Sequence, residues 1–217
     1  MIGGELRGRK LVAPPLTDLR PTSDRVREAV FDILFSLGGV EGARAADVFA
    51  GSGALGIEAL SRGAAEVTFV ERDPAAVTGL RRNLASVGLV DAERSGRAHV
   101  VRADATGWAR GTATHYDVGL CDPPYAFTAW APLLEALSAD VAVLESAEEP
   151  ELPAGWAALR SRRYGGTLVG LAESVVPSDV PQRHCCFPGE LPGSAGAFVE
   201  PRCPHAQSRN PQKKGIS

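Results

Sequence analysis

The stretch DVFAGSGALG, Asp47–Gly56, decides how this chain folds. It joins a short apolar run, RAADVFA, to a segment of helical character, GALGIEALSRG, through glycines at 51, 53 and 56. The spacing is G-x-G-x-x-G. It lets the backbone turn sharply from a strand into a helix and approach a ligand closely at the helix amino terminus. Glu71, twenty residues beyond Gly51, ends the next apolar run, EVTFVE, where an acid can take ribose hydroxyls. Spacing alone leaves the nucleotide open, because a nicotinamide dinucleotide site carries the same glycines.

Outward from this turn the pattern alternates. RVREAVFDILFSL places Val26, Val30, Ile33, Leu34 and Leu37 on one helical face, with Ser23 or Asp24 as cap and Gly38-Gly39 as terminator. After EVTFVE, the run DPAAVTGLRRNLASVG predicts a helix with Pro74 at its start. AHVVRAD and YDVGLCD predict strands, with an undefined segment around Trp108 between them. FTAWAPLLEALS predicts a helix, DVAVLES a strand, and WAALRSRRY with GTLVGLA a closing hairpin through Gly165-Gly166. Strands alternating with helices give a parallel sheet covered on both faces; the last pair breaks the alternation and predicts an antiparallel edge. IGGELRGRKLV, at residues 2–12, reads as a small hairpin around an Arg-Gly turn. The expected organisation is an amino-terminal hairpin and loop over 1–22, one α/β domain over 23–172, and a loose tail over 173–217 that holds seven prolines.

Acids at strand ends narrow the ligand. Asp47, four residues before Gly51, suits a cationic group such as an ammonium or a sulfonium and disfavours a pyrophosphate. Asp104, in VRADA, can accept from an adenine amino group, or simply cap a helix. An amine or sulfonium, a diol and an adenine together describe S-adenosyl-L-methionine.

The segment LCDPPYAF, Leu120–Phe127, carries the second half of the chemistry. Two prolines end the strand abruptly and leave Asp122 and Tyr125 at its mouth. The Asp122 carboxylate and the Pro123 carbonyl are acceptors for the two N–H bonds of an exocyclic base amine. Tyr125 offers a stacking face worth about 1–3 kcal/mol. Held this way, the amine nitrogen keeps its lone pair aimed at an electrophilic methyl group, and proline stiffness keeps the acceptors in place.

Composition bounds the rest. The chain has 217 residues, 44% of them hydrophobic, and a formal net charge of -3, so any positive surface for nucleic acid must be local. Four cysteines, three of them in the tail, do not form a disulfide framework. No apolar run approaches the roughly 20 residues that cross a bilayer, and the amino terminus lacks a secretory apolar region. A cytoplasmic protein without membrane contact is expected, acting as a monomer.

DVFAGSGALG followed by DPPY resembles the class I S-adenosylmethionine-dependent amino-methyltransferases. IGGELRGRKL, LRPTSDRVREAVFDIL and ALSRGA make residues 2–172 similar to the RsmD family, bacterial enzymes that methylate N2 of a guanine in 16S ribosomal RNA. The resemblance implies a Rossmann-like, seven-stranded, mostly parallel sheet with a reversed last strand. It implies Asp47, Gly51, Gly53, Glu71 and Asp104 around S-adenosylmethionine, and Asp122, Pro123 and Tyr125 around the base. It places Arg20, Thr22 and Asp24 in a loop near the active site. The tail has no counterpart in the family.

Ribosomal RNA, free or in an assembled small-subunit particle, is then the expected partner. Arg7, Arg9, Lys10 and Arg20 are its candidate phosphate contacts, the first three on a projecting finger. The target guanine must leave its stack to reach Tyr125. A DNA methyltransferase acting on adenine N6 or cytosine shares the amine chemistry; C5 chemistry would need Cys121 as a nucleophile. A dehydrogenase explains the glycines and Glu71 but leaves DPPY without a task, and a non-catalytic RNA-binding role leaves the acids and Tyr125 without one. In the tail, His184, Cys185, Cys186, Cys203 and His205 lack zinc-site spacing, and no metal is expected.

Overall fold

A computed structural model of the chain describes residues 1–12 and 24–175. Its elements run α1 (Asp24–Phe35), β1 (Arg44–Val48), α2 (Ala54–Ser61), β2 (Glu66–Glu71), α3 (Pro74–Ser86), β3 (Ala98–Arg102), α4 (Ala105–Gly111), β4 (Tyr116–Cys121), α5 (Trp130–Ala136), β5 (Ala139–Ser146), β6 (Trp156–Tyr164) and β7 (Thr167–Ser174). They form one seven-stranded sheet in the order β3-β2-β1-β4-β5-β7-β6. The pairs β3–β2, β2–β1, β1–β4 and β4–β5 are parallel; β7 is antiparallel to both β5 and β6. The closing hairpin forms the antiparallel edge expected of the last pair. Within it the reversed last strand, β7, lies between β5 and β6, so that β6 is the outermost strand. β7 therefore sits with Val169 and Leu171 buried on one face and Leu168 and Ala172 on the other.

Alternation along the central strands sorts the core into two layers. Ala45 of β1 belongs to a cluster with Val30, Phe31 and Leu34 of α1, Ile57 and Leu60 of α2, and Leu80 of α3. Ala46 and Val48 point to the other face, into a cluster with Tyr116, Trp130, Leu133, Leu134 and Leu144. Small alanines in β1 let helices close in on both sides of the same strand. The undefined stretch around Trp108 is helix α4, capped by Asp104, whose Oδ1 accepts from the Gly107 N–H at 2.9 Å.

The amino-terminal hairpin is not formed: residues 1–12 contain turns and no strand. Their backbone donors go to α2 instead of to a second strand. Ile2 and Gly3 N–H groups donate to the two Glu58 carboxylate oxygens, at 2.9 and 2.7 Å, and Leu6 N–H donates to Ser61 Oγ at 2.9 Å. Gly4 makes this docking possible. Its φ is 69°, and a Cβ there would lie 1.7 Å from the Ser61 carbonyl oxygen. The Arg9 guanidinium donates to the Val87 carbonyl beyond the end of α3. The segment is a strap laid on α2 and α3, not a projecting finger. Arg7 and Lys10 are exposed on it. Arg20, Thr22 and the tail after residue 175 lie outside the described residues. The final strand reaches Ser174, two residues past the expected domain boundary.

Glu58 is the strap's anchor. It is fully buried, accepts from Ile2 and Gly3, and pairs with Arg62 at 2.9 Å. Removing it strands several donors at once. Glu58→Ala is expected to cost about 3 kcal/mol in denaturant unfolding and to expose the strap to limited proteolysis. A loss under about 1 kcal/mol, the worth of an ordinary hydrogen bond, would show that the strap is not held there.

Candidate active site

The parallel strands end together, and their register lines up the site. Val48 pairs with Val70 on one side and Cys121 on the other, and Cys121 pairs in turn with Leu144. The residues that follow these positions come at one level: Glu71 and Glu145, still paired in their strands, and Phe49 and Asp122, just past theirs. Asp47 lies two residues before Phe49. Four carboxylates therefore meet at the ends of β2, β1, β4 and β5, where ligands bind in open α/β sheets.

Two of these carboxylates shape the glycine turn. Glu71 Oε2 accepts from Gly51 N–H at 2.9 Å while Oε1 accepts from Asp73 N–H at 2.8 Å, so both loops lie on one rim. Asp47 Oδ2 accepts from Gly56 N–H at 2.8 Å beneath the turn. Gly53 has φ 80°, and a Cβ there would sit 2.0 Å from Leu80 Cδ1; no other residue lets α2 start so close to α3. Among the described residues, a Cβ at Gly51 would meet only the Phe49 carbonyl oxygen, at 3.9 Å. Buried Asn83 of α3 binds the turn to the strap: its Nδ2 donates to Ser52 and Val12 carbonyls, and its Oδ1 accepts from Val12 N–H.

The DPPY loop arrives from β4. Pro123 is buried and Tyr125 is 55% exposed, its hydroxyl 3.1 Å from Thr167 Oγ1. A turn closes with Phe127 N–H donating to the Pro124 carbonyl at 2.8 Å. Phe127 packs edge-on against Phe49 at 5.0 Å and Trp130 at 5.3 Å. Phe49 sits at φ 69°, the one positive-φ residue other than glycine among the described residues, a conformation costly for a bulky side chain. The strained residue is the one that joins the glycine turn to the DPPY loop.

Electrostatics follow from burial. Asp47, 2% exposed, has its pKa pushed up to about 8, first by desolvation and then by Asp122 and Glu71, against a lowering by the Gly56 bond. Glu145, 4% exposed, is pushed up to about 9 by desolvation, Asp122 and Asp47, against a lowering by Arg27. Its Oε1 has no hydrogen-bond partner among the described residues. Cys121 is buried, and desolvation with Asp47 and Asp122 raises its thiol pKa, the opposite of what a nucleophile needs.

The sequence-predicted residues Asp47, Gly51, Gly53, Glu71, Asp122, Pro123 and Tyr125 line this one rim or lie directly beneath it. Asp104 follows β3, beside β2, as the cap of α4. On the strap, Arg7 follows Leu6, whose N–H is held by Ser61 at the far end of α2 from the glycine turn, and Arg9 is engaged with the Val87 carbonyl, whereas Lys10 stands two residues before Val12, which Asn83 ties to Ser52. Sequence reasoning missed Phe49, Phe127, Asn83 and Glu145. The acid in VLES ending a strand was the available signal for Glu145.

Raised folded-state pKa values mean that the native chain holds protons the unfolded chain has released. Stability is fully present below about pH 4 with respect to these groups and is lost as pH rises towards about 8 and 9. Asp47→Asn and Glu145→Gln should each flatten the fall in melting temperature between about pH 5 and about pH 9, as measured by thermal scanning. Slopes equal to that of the unsubstituted chain would contradict this.

The family profile described as "Conserved hypothetical protein 95" matches residues 1–173. Ribosomal RNA small subunit methyltransferase D of Escherichia coli K12 is 38% identical over 175 residues, covering 76% of this chain and 84% of that protein. Among solved structures, YhhF of Escherichia coli superposes with a TM-score of 0.67 at 36% identity, covering 80% of this chain and 96% of that one. A protein of Thermus thermophilus described as hypothetical gives 0.65 at 33%, covering 79% and 96%. The sheet order, the reversed β7 and the glycine turn are those of a Rossmann-like class I methyltransferase, and the chain belongs to the RsmD family.

Proposed function

We propose that this chain transfers a methyl group from S-adenosyl-L-methionine to the exocyclic N2 amine of a guanine in small-subunit ribosomal RNA. The observation that carries this reading is the meeting of two loops. The Glu71–Gly51 bond and the Phe49–Phe127 contact bring the glycine turn and the DPPY loop to the same rim. The named activity of the Escherichia coli relative supports ribosomal RNA as the substrate.

The residues fit the cofactor. Glu71 would face its ribose, the glycine turn would receive it, and Asp104 would face the adenine. The acid row suits its positive sulfur, and protonated Asp47 supports the turn from below. When bound, the cofactor supplies an electrophilic methyl carbon. Asp122 and the Pro123 carbonyl accept the two amine N–H bonds and hold the nitrogen lone pair outward. Tyr125, fixed at its hydroxyl by Thr167, stacks on the base. The proton lost from the methylated amine has the Asp122 carboxylate as its acceptor. No thiol attack is involved, in keeping with buried Cys121, which disfavours C5 methylation. On the strap, Arg7 would touch phosphates only at a distance from the crevice, which a substrate as large as ribosomal RNA allows, and Lys10 would do so nearer the glycine turn.

The test is transfer of labelled methyl groups to deproteinised small-subunit RNA, followed by nucleoside analysis. N2-methylguanosine is expected. Asp122→Ala should lower the rate at least about a hundredfold with the melting temperature retained, and Tyr125→Ala about tenfold or more. Label in adenine or cytosine, or label on DNA alone, would overturn the assignment, as would stabilisation of the fold by NAD but not by S-adenosylhomocysteine.

A further inference from the structure

On the reading that this crevice methylates RNA, we propose that one face of β6 is the RNA track. Arg160, Arg162 and Tyr164, continued by Thr167 into Tyr125, would hold the phosphate backbone of the strand whose base enters the crevice.

The geometry makes the track continuous. β6 carries WAALRSRRY, with three arginines and no acid, and lies at the sheet edge. Arg160 pairs with Leu171, Arg162 with Val169 and Tyr164 with Thr167, so these residues share one face at every second position. Thr167 Oγ1 meets the Tyr125 hydroxyl at 3.1 Å. β6 runs in the direction of β4 and β5, because both β5 and β6 are antiparallel to β7. Its carboxyl end, Tyr164, therefore opens at the same end of the sheet as Asp122.

The chemistry fits phosphate. Arg160 and Arg162 are exposed and form no ion pair among the described residues; Glu149 lines the groove beside Arg160 without bonding to it. The Arg162 guanidinium lies 5.4 Å from the Tyr164 ring centroid, which pre-orients a planar fork suited to phosphate oxygens. Arg163 is turned away and donates to the Ala147 carbonyl at 2.9 Å. The strap's Arg9 is likewise engaged with Val87. The competing role for charges on an edge strand is to block pairing with another sheet edge.

The experiment measures affinity of the full chain for deproteinised small-subunit ribosomal RNA at several salt concentrations. Each lost phosphate contact removes about 0.7–0.9 from the slope of log affinity against log salt. Arg160→Ala/Arg162→Ala should therefore flatten the slope by about 1.5 and weaken binding about tenfold at low salt, while Arg160→Lys/Arg162→Lys keeps the slope. Methyl transfer should show the loss in KM, with kcat within about twofold. Unchanged slope and affinity would overturn the proposal, and so would an unchanged slope with new self-association on a sizing column, which makes the arginines edge guards. Stabilisation by S-adenosylhomocysteine is read in parallel. If it is absent in every variant, the methyltransferase reading fails, while a flattened slope would still report RNA on this face.

Discussion

Everything at the crevice rests on carboxylates that bind backbone rather than solvent. Glu71 spans Gly51 and Asp73, tying the first two strand-to-helix loops together. Asp47 pulls the Gly56 N–H down onto the end of β1. Without these bonds the N–H groups of left-handed Gly51 and of helical Gly56 would lose their partners, and the turn would have no reason to hold one shape. The arrangement concentrates acids at adjoining strand ends, where desolvation first and neighbouring carboxylates second push Asp47 and Glu145 well above the usual carboxylate range. On the proposed reading, a sulfonium would relieve the crowding of acids here, and a diphosphate would worsen it.

The second constraint is positional. Strand register brings Phe49, Asp122 and Glu145 out at one level, and no loop has to reach far to complete the site. Phe49 gives up a comfortable backbone conformation to pack on Phe127, and that contact ties the cofactor side to the base side. Asn83 extends the same rigidity to the strap by bonding both Ser52 and Val12. Helices α1 to α3 hold the glycine turn from one face of the sheet, while α4 and α5 hold the DPPY loop from the other.

Much of this was legible in the chain. Alternating apolar runs, Pro74 at a helix start, the glycine spacing and the DPPY break each have a local cause, and the corresponding elements stand where those causes put them. What was not legible depended on distant partners. IGGELRGRKLV looks like a hairpin by its own glycines, but Glu58 and Ser61, some 55 residues away, take its donors. α4 spells ATGWARG, too short and too glycine-rich for a periodic signal, and exists because Asp104 caps it. The sequence shows that β6 and β7 pair, but only the sheet shows that β7 lies inside. Glu145 looks like an ordinary strand-end acid until β5 is placed beside β4.

The most direct measurement is a crystal structure of the chain with S-adenosylhomocysteine. The account predicts ribose hydroxyls on Glu71, the nucleoside over Gly51, and the sulfur turned towards Asp122 and Tyr125. A ligand seated elsewhere, or a sulfur facing away from the DPPY loop, would contradict it.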